Sequence, residues 1–330
     1  LRVLIDRYTR KELKYLIAYD MGCGNTSAGR VPLLENSNYL PVWWPLIKDG
    51  EKSRAKNSLT ILAKDQRHFR FGQDATGVHG FAENFKTLPK NAALKEEIHA
   101  GQKKLSREEA WEEYFHLTFE YCLDEIKKTG YAPIPDISKT NTMLVVAHPA
   151  GTKWKGRVLE NYRNIIIRGT GLKPEQVITF SEAKASMMYA LNKNKVEPSQ
   201  KVLLIDLGAS TVDLMLLNGT GEPVFEFSIE LAGRDVDNII GHALLKEIFP
   251  AEMAALKVPN QLPDEAFFEK HYFGELERDQ QQFQLDMRLM KEEICEKGAC
   301  MFVWNCGKSK KKLDEDWLRG VLEGNVLDIN

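Results

Sequence analysis

Two short segments carry residues that could do chemistry together: Asp20-Met21-Gly22-Cys23-Gly24-Asn25 and Asp206-Leu207-Gly208-Ala209-Ser210-Thr211. Both read Asp, apolar, Gly, any residue, then small or polar residues. Each follows a short apolar run, Tyr15–Tyr19 in one case and Val202–Ile205 in the other, and each leads into a second extended stretch. One Asp-x-Gly alone is most often a plain hairpin turn. Two in matching contexts, one in each half of the chain, form a weak internal repeat. Turns of small residues let main-chain N–H groups come close to a phosphate. An aspartate at the preceding strand end faces the same space and can hold a hydrated magnesium ion. Two such turns can grip a triphosphate from opposite sides.

The elements that must position these turns follow from patterning. Tyr15–Tyr19 reads as a buried strand, with a return strand over Thr26–Leu34. Met143–Ala147 is a second buried strand, ending in His148-Pro149-Ala150, and a helix from about Trp154 to Arg168 follows it. Val177–Phe180 is a strand and Glu182–Leu191 a short helix. Ser106-Arg107-Glu108-Glu109 is a capping box that opens a helix to about Lys128, with Gly130 as its stop. Trp111, Tyr114, Phe115, Thr118 and Cys122 share one face at helical spacing and read as core. In the second half, Val202–Ile205 reads as a buried strand, and Val212–Asn218 and Val224–Glu230 read as strands. A helix runs from about Asp235 to Glu247, and another over Gln280–Lys297. Residues 250–278 give no clear pattern, and Lys308–Lys312 reads as a solvated turn.

The first turn resembles the phosphate-1 loop of the actin, sugar-kinase and heat-shock-chaperone ATPase superfamily, and Asp206–Asp213 resembles its phosphate-2 loop. Phe180–Leu191 is similar to the connecting helix of that superfamily. Three further segments resemble the heat-shock-70 (DnaK-type) branch: Asn84-Phe85-Lys86, Val146–Ala150, and Ala232-Gly233-Arg234-Asp235-Val236-Asp237-Asn238. The resemblance covers about Tyr15 to Lys297. It implies an α/β, two-lobed actin-like (ribonuclease H-like) fold with the nucleotide in a cleft between the lobes. Lobe I is expected over residues 1–195 with an inserted subdomain near 37–103, and lobe II over 196–330 with an upper subdomain from about 232.

The resemblance also implies roles. Asp20, Glu182 and Asp206 would organise Mg2+ through water. Gly22, Cys23, Gly24 and Asn25 would touch phosphates on one side, and Gly208, Ala209, Ser210 and Thr211 on the other, with the Thr211 hydroxyl near the γ-phosphate. Gly233 lies in the segment that opens the upper subdomain and belongs to the nucleotide-binding set. Lys86 would stabilise charge on the transferred phosphoryl group, and Asp206 would orient the attacking water. Lys291 and Glu292 are candidates beside the adenosine, although a long helix also offers a solvent-facing stripe there. The cofactors implied are ATP or ADP with Mg2+. A protein client or co-chaperone is the implied partner.

The departures weigh on the chemistry. Cys23 and Gly24 stand where the chaperones carry hydroxyl residues. Ala209 and Ser210 stand where they carry glycines, and their Cβ atoms restrict the backbone. No Gly-Gly pair occurs in the chain, so the adenosine motif is expected past Asn330 and the chain is expected to be truncated. Lys86 alone would pass for a surface lysine, Glu182 for a carboxylate favoured at a helix N-terminus, and His148 for a satisfied strand-end histidine. Gly307-Lys308-Ser309 is no Walker A ending, because the motif's first glycine would fall on Phe302.

The bulk properties exclude other classes. A net charge of −2 over 330 residues disfavours a nucleic-acid or anionic-membrane surface. No apolar run is long enough to cross a bilayer. Five cysteines (Cys23, Cys122, Cys295, Cys300 and Cys306) without a secretion signal point to a reducing, cytoplasmic setting. The last three match no familiar zinc spacing. The leading expectation is a heat-shock-70-like ATPase. One rival is a nucleotide-binding scaffold or filament subunit that does not hydrolyse. The other is a small-molecule kinase of the same fold, for which lobe I offers no convincing acceptor-binding aspartate.

Overall fold

A computed structural model describes residues 13–32, 58–83, 85–86, 89–128, 137–149, 153–193, 195, 197, 199–219, 223–229, 231–256, 261–271, 280–304 and 309–326. By internal contacts the chain divides into two compact units. One is Leu1–Asp206 with Asp213–Ser228; the other is Leu207–Val212 with Ile229–Asn330. Asn84, Ala150, Gly130 and Cys306 lie outside the described residues, as do residues 37–57 of the expected insertion.

The first unit is built on a five-stranded sheet. Its strands are β1 (Tyr15–Met21), β2 (Asn25–Pro32), β3 (Ser58–Leu59), β9 (Thr142–His148) and β10 (Val177–Ser181), in the order β10-β9-β1-β2-β3. β1 and β2 form an antiparallel hairpin, with Met21 opposite Thr26. β1, β9 and β10 run parallel, so their C-terminal ends share one edge. Parallel strands are covered on both faces, which is why β1 and β9 read as unbroken apolar runs. Ile17, Met21, Met143 and Val146 are fully buried.

Between these strands lie β4 (Ile61–Lys64), β5 (Phe69–Phe71), β6 (Ala82–Glu83) and the hairpin of β7 (Glu97–Ala100) and β8 (Lys103–Ser106). Helix α1 (Arg107–Lys128) starts at the capping box: Glu109 N–H donates to Ser106 Oγ at 3.2 Å, and Ser106 N–H donates to Glu109 Oε2 at 2.7 Å. Its Trp111, Tyr114, Phe115, Thr118 and Cys122 are fully buried, as the spacing requires. Helix α2 (Arg157–Thr170) adds Tyr162, Ile165 and Ile166 to the same core.

Helix α3 (Glu182–Asn192) packs Ala183 and Met187 against Met215 and Leu217 of a second sheet. That sheet comprises β11 (Val202–Leu207), β12 (Val212–Leu217) and β13 (Pro223–Ile229) in sequence order. β11 corrects the reading of Val202–Ile205 as a buried strand. Its burial alternates, and Leu203 and Ile205 are exposed by 58% and 53%. One face, with Val202 and Leu204, meets the α3 cluster, and the other stays open.

The second unit packs α4 (Gly233–Ile248) against α5 (Gln280–Lys297) through Ile240, Leu244, Phe283 and Met287. Two short helical segments, Pro250–Ala254 and Glu265–His271, occupy part of the stretch that showed no pattern. The hairpin of β14 (Ala299–Trp304) and β15 (Ser309–Asp314) follows, then α6 (Glu315–Val326). Lys311 and Lys312 therefore lie in a strand and not in the expected solvated turn. Leu313, fully buried beside Cys300 and Phe302, anchors the hairpin, while Lys312 pairs with exposed Met301 on the outer face. Among the described residues no helix is long and apolar enough to cross a membrane.

Candidate functional site

The two Asp-x-Gly segments close in the same way. Gly22 N–H donates to the Asn25 carbonyl at 2.8 Å, and Gly208 N–H donates to the Thr211 carbonyl at 2.9 Å. A Cβ on Gly22 would sit 2.7 Å from the Asn25 oxygen, and one on Gly208 would sit 2.9 Å from the Thr211 oxygen. The closing bond therefore leaves no room for a side chain, and glycine is required at both positions for the same reason. Cys23, Gly24 and Asn25 are half-buried in the first turn, as are Ala209, Ser210 and Thr211 in the second. Cys23 Sγ lies 3.9 Å from the Lys86 carbonyl, which ties the first turn to the lysine segment.

The second turn is tied to the start of α4. Gly233 N–H donates to the Gly208 carbonyl at 3.2 Å, and Arg234 N–H donates to the Ala209 carbonyl at 3.0 Å. Gly233 is thereby brought to the Gly208–Thr211 turn. Lys291 donates to the Gly233 carbonyl at 3.3 Å and to Asp237 Oδ1 at 2.5 Å. Asp237 is buried, and burial raises its carboxyl above the ordinary range while Lys291 opposes the shift. Lys291 thus has a structural partner of its own. Glu292 is half exposed and takes a hydrogen bond from Arg288 at 3.0 Å.

In the first unit the charged candidates converge. Lys86 is no surface lysine: its side chain is 6% exposed, it donates to the Met21 carbonyl, and its Nζ stands 3.6 Å from Glu182 Oε1. The neighbouring Phe85 is fully buried, and its carbonyl accepts from Trp111 Nε1 at 2.6 Å. Glu182 opens α3 directly after its N-cap Ser181, whose Oγ accepts from Lys184 N–H at 3.5 Å. Burial pushes the Glu182 carboxyl up to about 7 against the pull of Lys86, and Asp20, Asp206 and Asp213 push the same way. Asp206 is raised by burial, then by Asp213 and Asp20, with Lys86 again opposing.

Asp20, Asp206 and Asp213 thus all act on Glu182, and Lys86 opposes them there and at Asp206. Such a surplus of negative charge suits a cation. Among the described residues no group of three is placed to ligate a metal directly. Asp213 belongs to this set. The sequence reading included it in the phosphate-2 segment without a role; its signal was the second aspartate of Asp206–Asp213.

His148 ends β9 beside these groups. Its Nδ1 is 2.9 Å from the Pro149 carbonyl, and its ring stacks on Trp154. Burial lowers its pKa, the Pro149 contact raises it, and the Lys86 charge lowers it further.

No known protein family matches the sequence, and no curated protein does. Solved structures do match. MreB5 of Spiroplasma citri bound to ADP superposes with a TM-score of 0.54 at 17% identity, covering 96% of this chain and 76% of that one. The same protein bound to AMPPNP gives a TM-score of 0.50 at 17% identity, over 96% and 77%. The fold is that of the actin-like ATPases. At this identity the likeness establishes architecture alone, and the chemistry rests on the chain's own residues.

Proposed function

We propose that this chain binds ATP and ADP as magnesium complexes and hydrolyses ATP. The observation that carries the proposal is the repeated turn: two Asp-x-Gly segments, each closed by the same glycine N–H to carbonyl bond, in an actin-like fold. Each turn taken by itself, Gly22–Asn25 and Gly208–Thr211, would offer main-chain N–H groups to phosphate oxygens, the second with the Thr211 hydroxyl for the γ-phosphate. Asp20, Glu182 and Asp206 would hold magnesium through its waters, and the ion would neutralise charge on the phosphate oxygens. Asp206 orients the attacking water, and Lys86 stabilises charge on the phosphoryl group as the bond to the β-phosphate breaks. Phosphoryl transfer to water needs position and electrostatics more than covalent work, and this set supplies both.

A reading in which nucleotide state governs association of copies of the chain into a filament is compatible with the actin-like fold. A second reading, a heat-shock-70-like ATPase acting on a protein client, is favoured by Lys86 after buried Phe85 and by the Ala232–Asn238 segment at the second turn. Calorimetry with ATP and ADP, with and without magnesium, on the intact chain and an Asp206→Ala variant tests the shared core. Magnesium-dependent binding that the substitution weakens is expected; no binding by the intact chain sinks it. Light scattering and pelleting with ATP then separate the readings, because only the assembly reading expects nucleotide-dependent sedimentation without a client.

A further inference from the structure

Three parallel strand ends meet at one edge of the five-stranded sheet. Ser181 of β10 stands opposite His148 of β9. On its other side β9 pairs with β1 from Thr142 opposite Tyr15 to Val146 opposite Tyr19, and Met21 and His148 are the last residues of the two strands. Lys86 binds the carbonyl of Met21 and pairs with Glu182, the residue after Ser181. His148 thus occupies the middle strand end, between the two attachments of Lys86.

The His148 ring is fixed on two sides. It stacks on Trp154 with centroids 6.2 Å apart and planes 23° apart, and its Nδ1 lies 2.9 Å from the Pro149 carbonyl. A carbonyl oxygen only accepts, so Nδ1 carries the proton and Nε2 is an acceptor. An ammonium has three donors, and Lys86 donates to the Met21 carbonyl while pairing with Glu182 at 3.6 Å. Burial, and after it the Lys86 charge, lower the His148 pKa and so favour the neutral imidazole.

We propose that His148 is a positioning residue for Lys86: when Lys86 leaves the Met21 carbonyl for a phosphate oxygen, Nε2 takes one of its N–H groups and holds the ammonium at this edge. A neutral acceptor suits this task better than another carboxylate. It anchors the ammonium without cancelling the charge that the phosphate needs. The inference rests on the nucleotide-site reading above and adds a residue to which that reading gives no role.

The test is calorimetric binding of AMPPNP and ADP, with magnesium, to the full chain and its variants. A contact between Lys86 and the terminal phosphate makes the intact chain prefer AMPPNP, and Lys86→Met should abolish that preference. His148→Phe keeps a ring against Trp154 but has no acceptor. It should cut the preference about tenfold, the scale of one hydrogen bond to a charged group. His148→Gln, with an amide oxygen, should restore most of it. In the Lys86→Met background His148→Phe should change nothing further. His148→Leu serves the same comparison if the Phe variant does not fold. An unchanged preference in His148→Phe or His148→Leu overturns the inference and leaves the proposed function standing, as does an intact chain that binds both nucleotides equally. Failure of the intact chain to bind either nucleotide overturns both.

Discussion

Lys86 Nζ and Glu182 Oε1 lie 3.6 Å apart, with the lysine side chain 6% and the glutamate side chain 23% exposed. The pair is 96 positions apart in sequence and is made by the ends of two parallel strands and the segment before α1. It does not neutralise itself. Asp20, Asp206 and Asp213 act on the same glutamate, so its ionised form is disfavoured despite the lysine. That imbalance can be measured.

Glu182 has a folded-state pKa of about 7 against the ordinary 4.5. The folded state binds this proton more tightly than the unfolded chain. The stability it contributes is therefore complete below about pH 4.5 and lost as pH rises to about 7. Glu182→Gln removes that dependence. The variant should match the parent near pH 4.5 and exceed it by on the order of 2–3 kcal/mol above pH 7. Urea unfolding of both proteins across this range reads the difference. Parallel profiles would show that the glutamate titrates normally.

The closing bonds of the two turns make a second prediction. An added Cβ would lie 2.7 Å from the Asn25 oxygen at Gly22 and 2.9 Å from the Thr211 oxygen at Gly208. Gly22→Ala and Gly208→Ala should each cost about 1–3 kcal/mol and weaken ATP binding, because the turn must open to admit the methyl group. Gly77→Ala is the control. Nothing lies within 4 Å of its added Cβ, and its cost should stay within about 0.5 kcal/mol. Denaturation of the three variants beside ATP calorimetry ranks them; equal effects at Gly77 and Gly22 would refute the steric argument.

Lys291 separates a structural from a nucleotide role. Its partner Asp237 has a side chain only 8% exposed, so Lys291→Met leaves a buried carboxylate without its cation. The expected cost is about 3 kcal/mol at neutral pH. It should shrink as pH falls, because the variant can relieve the cost by protonating Asp237, whose carboxyl is already raised. Lys291→Met with Asp237→Asn should recover much of the stability. If ATP affinity recovers with it, Lys291 acts through the fold. If affinity stays low, the lysine touches the nucleotide itself.

Much of the first unit was legible because its signals are local and redundant. β1 and β9 are apolar runs with covered faces, the Ser106–Glu109 capping box made both of its bonds, and the α1 stripe of Trp111, Tyr114 and Phe115 is core. Helix α5 spans the expected Gln280–Lys297. The failures share a cause. β15 is a hairpin strand whose inward pull comes chiefly from Leu313, so its lysines masked it. β11 looked doubly buried because Leu203 and Ile205 are apolar, yet only the face with Val202 and Leu204 meets α3. Composition reports how apolar a strand is and not how many of its faces are covered. Asp213, Asp237 and His148 acquired their settings from residues far away in sequence, which no local pattern records.

Trp111 ties the core to the site. Its indole N–H donates at 2.6 Å to the carbonyl of Phe85, and both residues are fully buried. The next residue is Lys86. Trp111→Phe keeps most of the packing but strands that carbonyl, at a cost of about 1–3 kcal/mol. It also frees the backbone that presents the lysine, so ATP turnover should fall while nucleotide affinity holds nearly steady. The two effects separate in a Lys86→Met background. There Trp111→Phe should still destabilise the chain to urea but lower turnover no further. Additive losses of turnover would mean that the tryptophan acts on the site by some route other than Lys86.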